Sequence, residues 1–217
     1  MAFIMRSFWR AEPTSNKKIV FDVMPNDDPI ELAARCEQVR QLLQADAKAN
    51  PDTYDANDLF DFVASDNDLI TRYLERREHD PSRTFEMMRD TLQWRKQRGL
   101  SSMNALSFPK EFYTIGSMFQ YEYDVDGNAI LMIRCKVYRG IIELKEGMEL
   151  FTAYHMFEAD KRGRHNNAGW ALVFDLTGCG FPQYDVPMLS WLIKTLLAYY
   201  PVGLRRVSFN NVAKSAY

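Results

Sequence analysis

Residues 170–176 read Trp-Ala-Leu-Val-Phe-Asp-Leu, an apolar run broken only by Asp175 and followed by Thr177-Gly178-Cys179-Gly180. A stretch this short and this apolar suits a strand buried on both faces of a sheet, where no alternation with polar residues is needed. Downstream, Asp185-Val186-Pro187 opens a helix to Tyr199: aspartate caps free amides, and proline is tolerated in the first turn, where its missing N–H costs nothing. Only Ser190, Lys194 and Thr195 are polar inside that helix, so it is expected to be buried around most of its circumference. Arg206 to Asn210 reads as the next strand. Upstream lies a helix from Lys145 to about Lys161, with Leu150, Tyr154 and Phe157 at helical spacing. Before it come two strand-like runs, Met118–Tyr123 and Ala129–Lys136, joined through Asp126-Gly127, a strong hairpin step. The order strand, helix, strand, helix, strand requires crossovers between parallel strands and predicts an α/β sheet.

The front of the chain is helical. Pro29 starts a helix carrying Ile30, Leu32, Ala33, Cys36, Val39, Leu42 and Leu43 and ending before Asn50-Pro51. Asp52 to Asp58 reads as loop and cap, and two short stripes follow, Leu59/Phe62/Val63 and Ile70/Tyr73/Leu74. Asp80-Pro81 begins another helix, with Phe85, Met88 and Leu92 on one side and Met87, Thr91 and Trp94 on its shoulder. Gly99 ends it after Arg95, Lys96 and Arg98, cations that suit the negative end of the helix dipole. Three regions result: a weakly structured lead-in, 1–28; a helical N-terminal module, 29–110; and an α/β domain, 111–217.

Composition narrows the function classes. The 217 residues are 47% hydrophobic and 26% charged, enough apolar material for a sizeable core. A net charge of −2 argues against a dedicated nucleic-acid binder. Cys36, Cys135 and Cys179 form no CxxC pair and no zinc spacing, and are expected as reduced thiols in a cytosolic setting. No apolar run approaches the roughly 20 residues needed to span a bilayer. The opening MAFIMRSFWR is expected to be an ordinary terminus rather than a cleaved signal, because Arg6 interrupts its apolar stretch.

Four segments, in order, resemble the Sec14-like (CRAL-TRIO) lipid-binding family. Leu69-Ile-Thr-Arg-Tyr-Leu-Glu-Arg-Arg77 with Leu92-Gln-Trp-Arg95 resembles the arginine-bearing helix and "WR" helix of its front module. The hairpin at Asp126-Gly127 is in the expected place. Trp170 to Gly178 is similar to the family's strand ending in "DLxG", and Tyr199-Tyr-Pro-Val-Gly-Leu-Arg-Arg-Val207 to its "YYP" crossover. Tyr54–Asp58 and Gln93–Lys96 also resemble the motile sperm domain-containing branch. The resemblance implies a mixed or parallel sheet flanked by helices, incomplete at its C-terminus, and an apolar cavity for a lipid or other hydrophobic molecule. It implies no cofactor and no catalysis. It also implies a cytoplasmic protein, peripheral at organelle membranes. Three departures limit it. The chain ends soon after the strand Arg206–Asn210, where the family continues with another strand and a gate helix. Asn210-Asn-Val-Ala213 lacks the family's proline. Trp191 stands where phosphoinositide-binding members carry a glutamate, which disfavours phosphatidylinositol transfer.

The expected cavity wall is Phe119, Leu131, Ile133, Leu172, Phe174, Leu192, Leu196 and Phe209, with Met118 and Met132 adaptable around them. The same side chains serve equally well as filled core. Arg72, Arg76, Arg83, Arg89, Arg95, Lys96 and Arg98 are candidates for contact with an anionic membrane, although acids interleaved at helical spacing also suit a plain solvated face. Motifs for a nucleophile elbow or phosphate loop are absent, and His79, His155 and His165 do not stand at metal-ligand spacing. Asp124-Val-Asp126-Gly-Asn128 has its glycine at the wrong offset for a calcium loop. Asp175 and Gly178-Cys-Gly180 are expected to be strand-end and turn features. The competing functional readings are a ligand-free interaction or tethering module and a fragment without carrier activity.

Overall fold

The computed structural model describes residues 28–64, 67–180, 183, 185–200 and 203–210. The expected lead-in up to residue 27, Phe181-Pro182, Pro201-Val202 and the Asn211–Ala213 departure lie outside them. The helical front comprises α1 (Pro29–Ala49), α2 (Ala56–Ala64), α3 (Asn67–Arg76) and α4 (Pro81–Arg98). Two aspartates set where its main helices begin. Asp28 accepts a hydrogen bond from the Ile30 amide at 3.0 Å, and Asp80 accepts from the amides of Ser82 and Arg83 at 2.9 and 3.0 Å. Gly99 closes α4 at φ 65°, a left-handed conformation that costs glycine little and other residues more. Cys36, Val39, Leu43, Phe62, Ile70, Tyr73, Leu74, Met88 and Leu92 share one core among these helices.

The buried stripe of α4 is Thr84, Met87, Met88, Thr91, Leu92, Trp94 and Arg95. It is rotated from the expected stripe: Phe85 lies at the partly buried margin and the expected shoulder forms the inner face. The reason is that α4 serves two cores, because Trp94 leaves the front cluster and joins that of the sheet.

After the short α5 (Lys110–Ile115) come β1 (Met118–Tyr123), β2 (Ala129–Arg134), α6 (Lys145–His165), β3 (Trp170–Asp175), α7 (Val186–Tyr199) and β4 (Leu204–Asn210). The sheet order is β1-β2-β3-β4, with β1–β2 antiparallel and β2–β3 and β3–β4 parallel. At the hairpin, Asp124 Oδ1 accepts from the amides of Asp126 and Asn128 at 3.0 and 2.8 Å, and Gly127 takes φ 81°. Strand β2 stops at Arg134, two residues early, where Cys135–Val137 tighten into a 3-10 turn.

Helix α6 extends beyond its expected end to His165 and is buried on nearly all sides between Phe151 and Gly163. Its last turn approaches β3 so closely that a Cβ on Gly163 would lie 2.1 Å from the Gly169 carbonyl oxygen. Helix α7 departs from expectation in the other direction. Only Leu192 and Thr195 are buried, while Val186, Leu189 and Leu197 are exposed. An apolar composition predicts burial only where a partner layer exists, and α7 is covered on one side by α4 and the sheet core.

Candidate functional site

Residues paired directly across a sheet share a face, so the strand register divides the candidate wall. Leu131 pairs with Leu172, Ile133 with Phe174, and Phe174 with Phe209. Leu131, Leu172 and Phe174 are buried there with Phe151 and Met156 of α6 and Leu192 of α7, and Ile133 and Leu196 pack against them. Both crossover helices thus contribute to the core on this first face. Phe209, on edge strand β4, is 48% exposed and stacks on Phe174 with ring centroids 5.2 Å apart. Phe119 is separated from the other seven, because it pairs with Met132 on the opposite face.

That second face carries Phe119, Ile130, Met132 and Val173, all partly exposed. Among the described residues, none of these four belongs to either core or packs against one. The sequence hint was available in the apolar run Ala129–Ile133, where alternate residues must face opposite ways. Sequence reasoning chose Leu131 and Ile133 and passed over Ile130.

The seven basic candidates do not form one surface. Arg76, Arg83 and Lys96 are exposed. Arg83 faces Glu78 at 3.5 Å, while Lys96 Nζ donates to the carbonyls of Asp52 and Tyr54. Arg72 is partly buried and donates to the Ala168 carbonyl at 3.0 Å, tying α3 to the turn before β3. Arg89 lies beside Asp90 and over the Phe85 ring, and Arg98 lies over Trp94 and Trp191.

Arg95 does not belong to a membrane surface at all. It is 2% exposed, with Asp58 at 3.8 Å and Asp160 at 3.7 Å, and its guanidinium sits 5.1 Å from the ring centroids of both Phe62 and Phe157. Helical spacing placed it next to Lys96 and Arg98, but its side of α4 is the one that turns inward. Arg95 joins α2, α4 and α6 in a buried polar seam that also holds Ser101, which donates to Asp58, and Arg164, whose Nε lies 3.3 Å from Asp160. Burial raises the Asp58 carboxyl above its ordinary range, while Arg95 and the Ser101 hydroxyl pull it back.

His155 faces the sheet from α6. Its ring lies edge-on to Phe151 at 4.4 Å and near Tyr113 and Tyr154, and Gln120 of β1 donates to its backbone carbonyl at 2.8 Å. Burial pushes its imidazole down to about 4, so it is neutral at pH 7. It is a packed core residue. Asp175 accepts from the Thr177 amide at 3.0 Å, a strand-end turn as expected. Among the described residues, no group of three or more His, Cys, Asp or Glu is placed to hold a metal ion, and no helix is long and apolar enough to cross a membrane. A surface hollow of about 420 Å³ is lined by the polar or charged residues Asp52, Thr53, Gln93, Lys96 and Gln97.

An apolar patch lies at the start of α7. The Tyr138 hydroxyl donates to Asp185 Oδ2 at 2.6 Å and fastens the segment after β2 to the start of α7. Beyond Tyr138 that segment exposes Ile141, Ile142 and Leu144, and the start of α7 exposes Val186 and Leu189.

No family model matches the sequence. Among solved structures, the chain is similar to the crystal structure of Sfh5, a Sec14-family protein. The two align with a TM-score of 0.61 at 15% identity, over 85% of this chain and 72% of that one. A helical front followed by a four-stranded mixed sheet flanked by helices is therefore the Sec14-like fold.

Proposed function

We propose that this protein binds a lipid or other hydrophobic molecule and carries it at cytosolic membrane surfaces, without covalent chemistry. The observation that carries this reading is the second face of the sheet. Phe119, Ile130, Met132 and Val173 form an apolar floor that neither described core covers, in a fold whose first face is already packed by α6 and α7. An acyl chain laid on such a floor removes apolar area from water at about 25 cal/mol per Å². Met132 and Phe119 suit an irregular chain, one through flexibility and the other through area. The fold likeness to a Sec14-family protein agrees with lipid binding in general.

The test is native mass spectrometry with lipid extraction on the purified protein, compared with Met132→Glu and Val173→Glu. Both substitutions add charge to the floor without entering the core. A copurified lipid that both variants lose, with melting temperature retained, is the expected result. Absence of any copurified or transferable lipid from the wild type would sink the proposal.

A second reading, peripheral membrane contact, is favoured by the exposed Ile141, Ile142, Val186 and Leu189. It assigns Arg76, Arg83 and Lys96 as the accessible cations of the basic set, with Arg72, Arg89 and Arg98 partly available and Arg95 excluded. Flotation on vesicles containing anionic lipid, with Arg76 and Arg83 reversed to glutamate, separates this reading from ligand carriage. Binding unchanged by the reversal removes the electrostatic part.

A further inference from the structure

The three cysteines are far apart in sequence, yet two of them meet. Cys135 follows the end of β2 and Cys179 lies in the turn after β3, at the same end of two adjacent parallel strands in which Arg134 pairs with Asp175. The Cys135 and Cys179 side chains lie close enough at that end for each to act on the other's thiol. Both residues are partly accessible, whereas Cys36 is fully buried in the front core, close to Thr71. The turn bearing Cys179 is tight, with Gly178 at φ 70° and the Cys179 amide donating to the Leu176 carbonyl at 3.0 Å. Lys136 lies against Gly178: a Cβ there would be 3.5 Å from Lys136 Nζ.

We infer that Cys135 and Cys179 form a reversible dithiol–disulfide pair, a site of oxidative modification that clamps the turn before α7 to the end of β2. The chemistry assigns the two sulfurs different parts. Cys135 is packed against the sheet core, and it is Cys179, next to Gly178 in the turn, that has the Lys136 ammonium nearby to favour its thiolate. With a hydroperoxide as oxidant, the Cys179 sulfur attacks one peroxide oxygen and the O–O bond breaks. The products of this step are a sulfenic acid and the corresponding alcohol, or water. The Cys135 sulfur then attacks the Cys179 sulfur, the S–O bond breaks, and water leaves with the Cys135 proton. Two thiols and one hydroperoxide thus give one disulfide, one alcohol and one water. Burial and the nearby Asp175 carboxylate hold both thiols above their ordinary range, so little thiolate is present at neutral pH and oxidation is slow.

The consequence falls on α7. Cys179 stands six residues before Asp185, which caps α7 and receives the Tyr138 hydroxyl. A bond to Cys135 adds a covalent tie beside that hydrogen bond and closes the loop that contains α6 and β3.

The test treats the purified full chain with hydrogen peroxide at pH 8 and counts thiols after unfolding. The expected result is a fall from three thiols to one, at a rate independent of protein concentration, with a single cross-linked peptide joining residues 135 and 179. Dithiothreitol restores all three. Cys135→Ser and Cys179→Ser each form no internal bond, and Cys36→Ser forms it as the wild type does. As a measurement free of any oxidant, phenylarsine oxide binds the reduced wild type one to one and binds neither single variant. Amide exchange across 176–180 slows on oxidation. Sulfinic acid at Cys179 without a cross-link, a dimer instead of an internal bond, or no arsenical binding would each overturn the inference.

Discussion

His155 shows at the scale of one residue how burial converts into a pH dependence. The ring is 5% exposed and faces Phe151, Tyr113 and Tyr154, with the Gln120 amide beside Nδ1 and Arg162 reaching it only through Gln120. Its protonation falls from 6.5 to about 4 on folding. Below pH 6.5 the unfolded chain therefore takes up a proton that the folded chain refuses, and stability present above 6.5 is lost as pH falls toward 4. The full difference is about 3 kcal/mol. Urea unfolding at pH 7 and pH 4 should lose that amount more in the wild type than in His155→Gln; equal losses would show that the imidazole is not shielded. Arg95 gives a second prediction. Its removal in Arg95→Met leaves Asp58 and Asp160 short of a countercharge inside the protein, at a cost of about 3–5 kcal/mol. Asp58→Asn in the same chain should restore part of the loss, read as recovery of the urea midpoint. The deficit of the single variant should shrink at acid pH, because protonated Asp58 needs no partner. Pro29, Asp80 and Gly99 were legible as helix ends because caps and first-turn prolines act through their immediate neighbours, whereas the capping role of Asp28 was not read. Arg95 was not: its partners come from α2 and α6, and spacing along α4 alone puts it among exposed cations.

Apart from the short α5, which was not read, the elements were legible in order and type, since a strand's period, a helix's caps and a hairpin's Asp-Gly step are all local signals. What the sequence left open was which face each element shows to which neighbour. The eight wall candidates share apolar chemistry, yet pairing places Phe119 and Met132 on one side of the sheet and Leu131, Leu172 and Phe174 on the other. A one-dimensional pattern fixes alternation without naming the core side. Helix α7 repeats the point: its composition promised burial, but a second apolar layer must exist for that, and among the described residues Val186, Leu189 and Leu197 face outward. Close approach between elements is equally silent in the sequence until coordinates show it. Gly163 lets the last turn of α6 meet the backbone before β3, and the obstructing atom there is a carbonyl that no rotamer change can move. Gly163→Ala should therefore cost well over the ~1 kcal/mol gain in helix propensity and lower the melting temperature by several degrees. Gly147→Ala on the same helix is the control, since its Cβ would meet only the Phe112 ring at 3.5 Å, an ordinary contact. A melt in which both variants match the wild type would refute the steric argument.

At the scale of the whole molecule, the question is whether two cores behave as one protein. The front cluster and the sheet cluster are distinct in membership, and α4 supplies side chains to both. Where they touch, Trp94 stacks on Tyr199 with centroids 4.4 Å apart and planes 10° apart, and meets Tyr200 edge-on at 6.0 Å. Tyr200 in turn lies edge-on to Trp170 and donates to the Ala153 carbonyl at 3.2 Å, so the contact runs from α4 through the end of α7 into β3 and α6. Arg95, one residue along, makes the polar half of the same joint. Aromatic truncation in a core costs about 3–5 kcal/mol, and here that loss falls on the coupling between two halves rather than on either alone. The wild type should melt in one cooperative transition with coincident far-UV and tryptophan signals. Trp94→Ala should separate them, the front helices losing structure at a lower temperature than the sheet. Coincident transitions in Trp94→Ala, merely shifted downward, would mean that the joint is spread over the polar seam and the Arg72–Ala168 bond instead of resting on this ring.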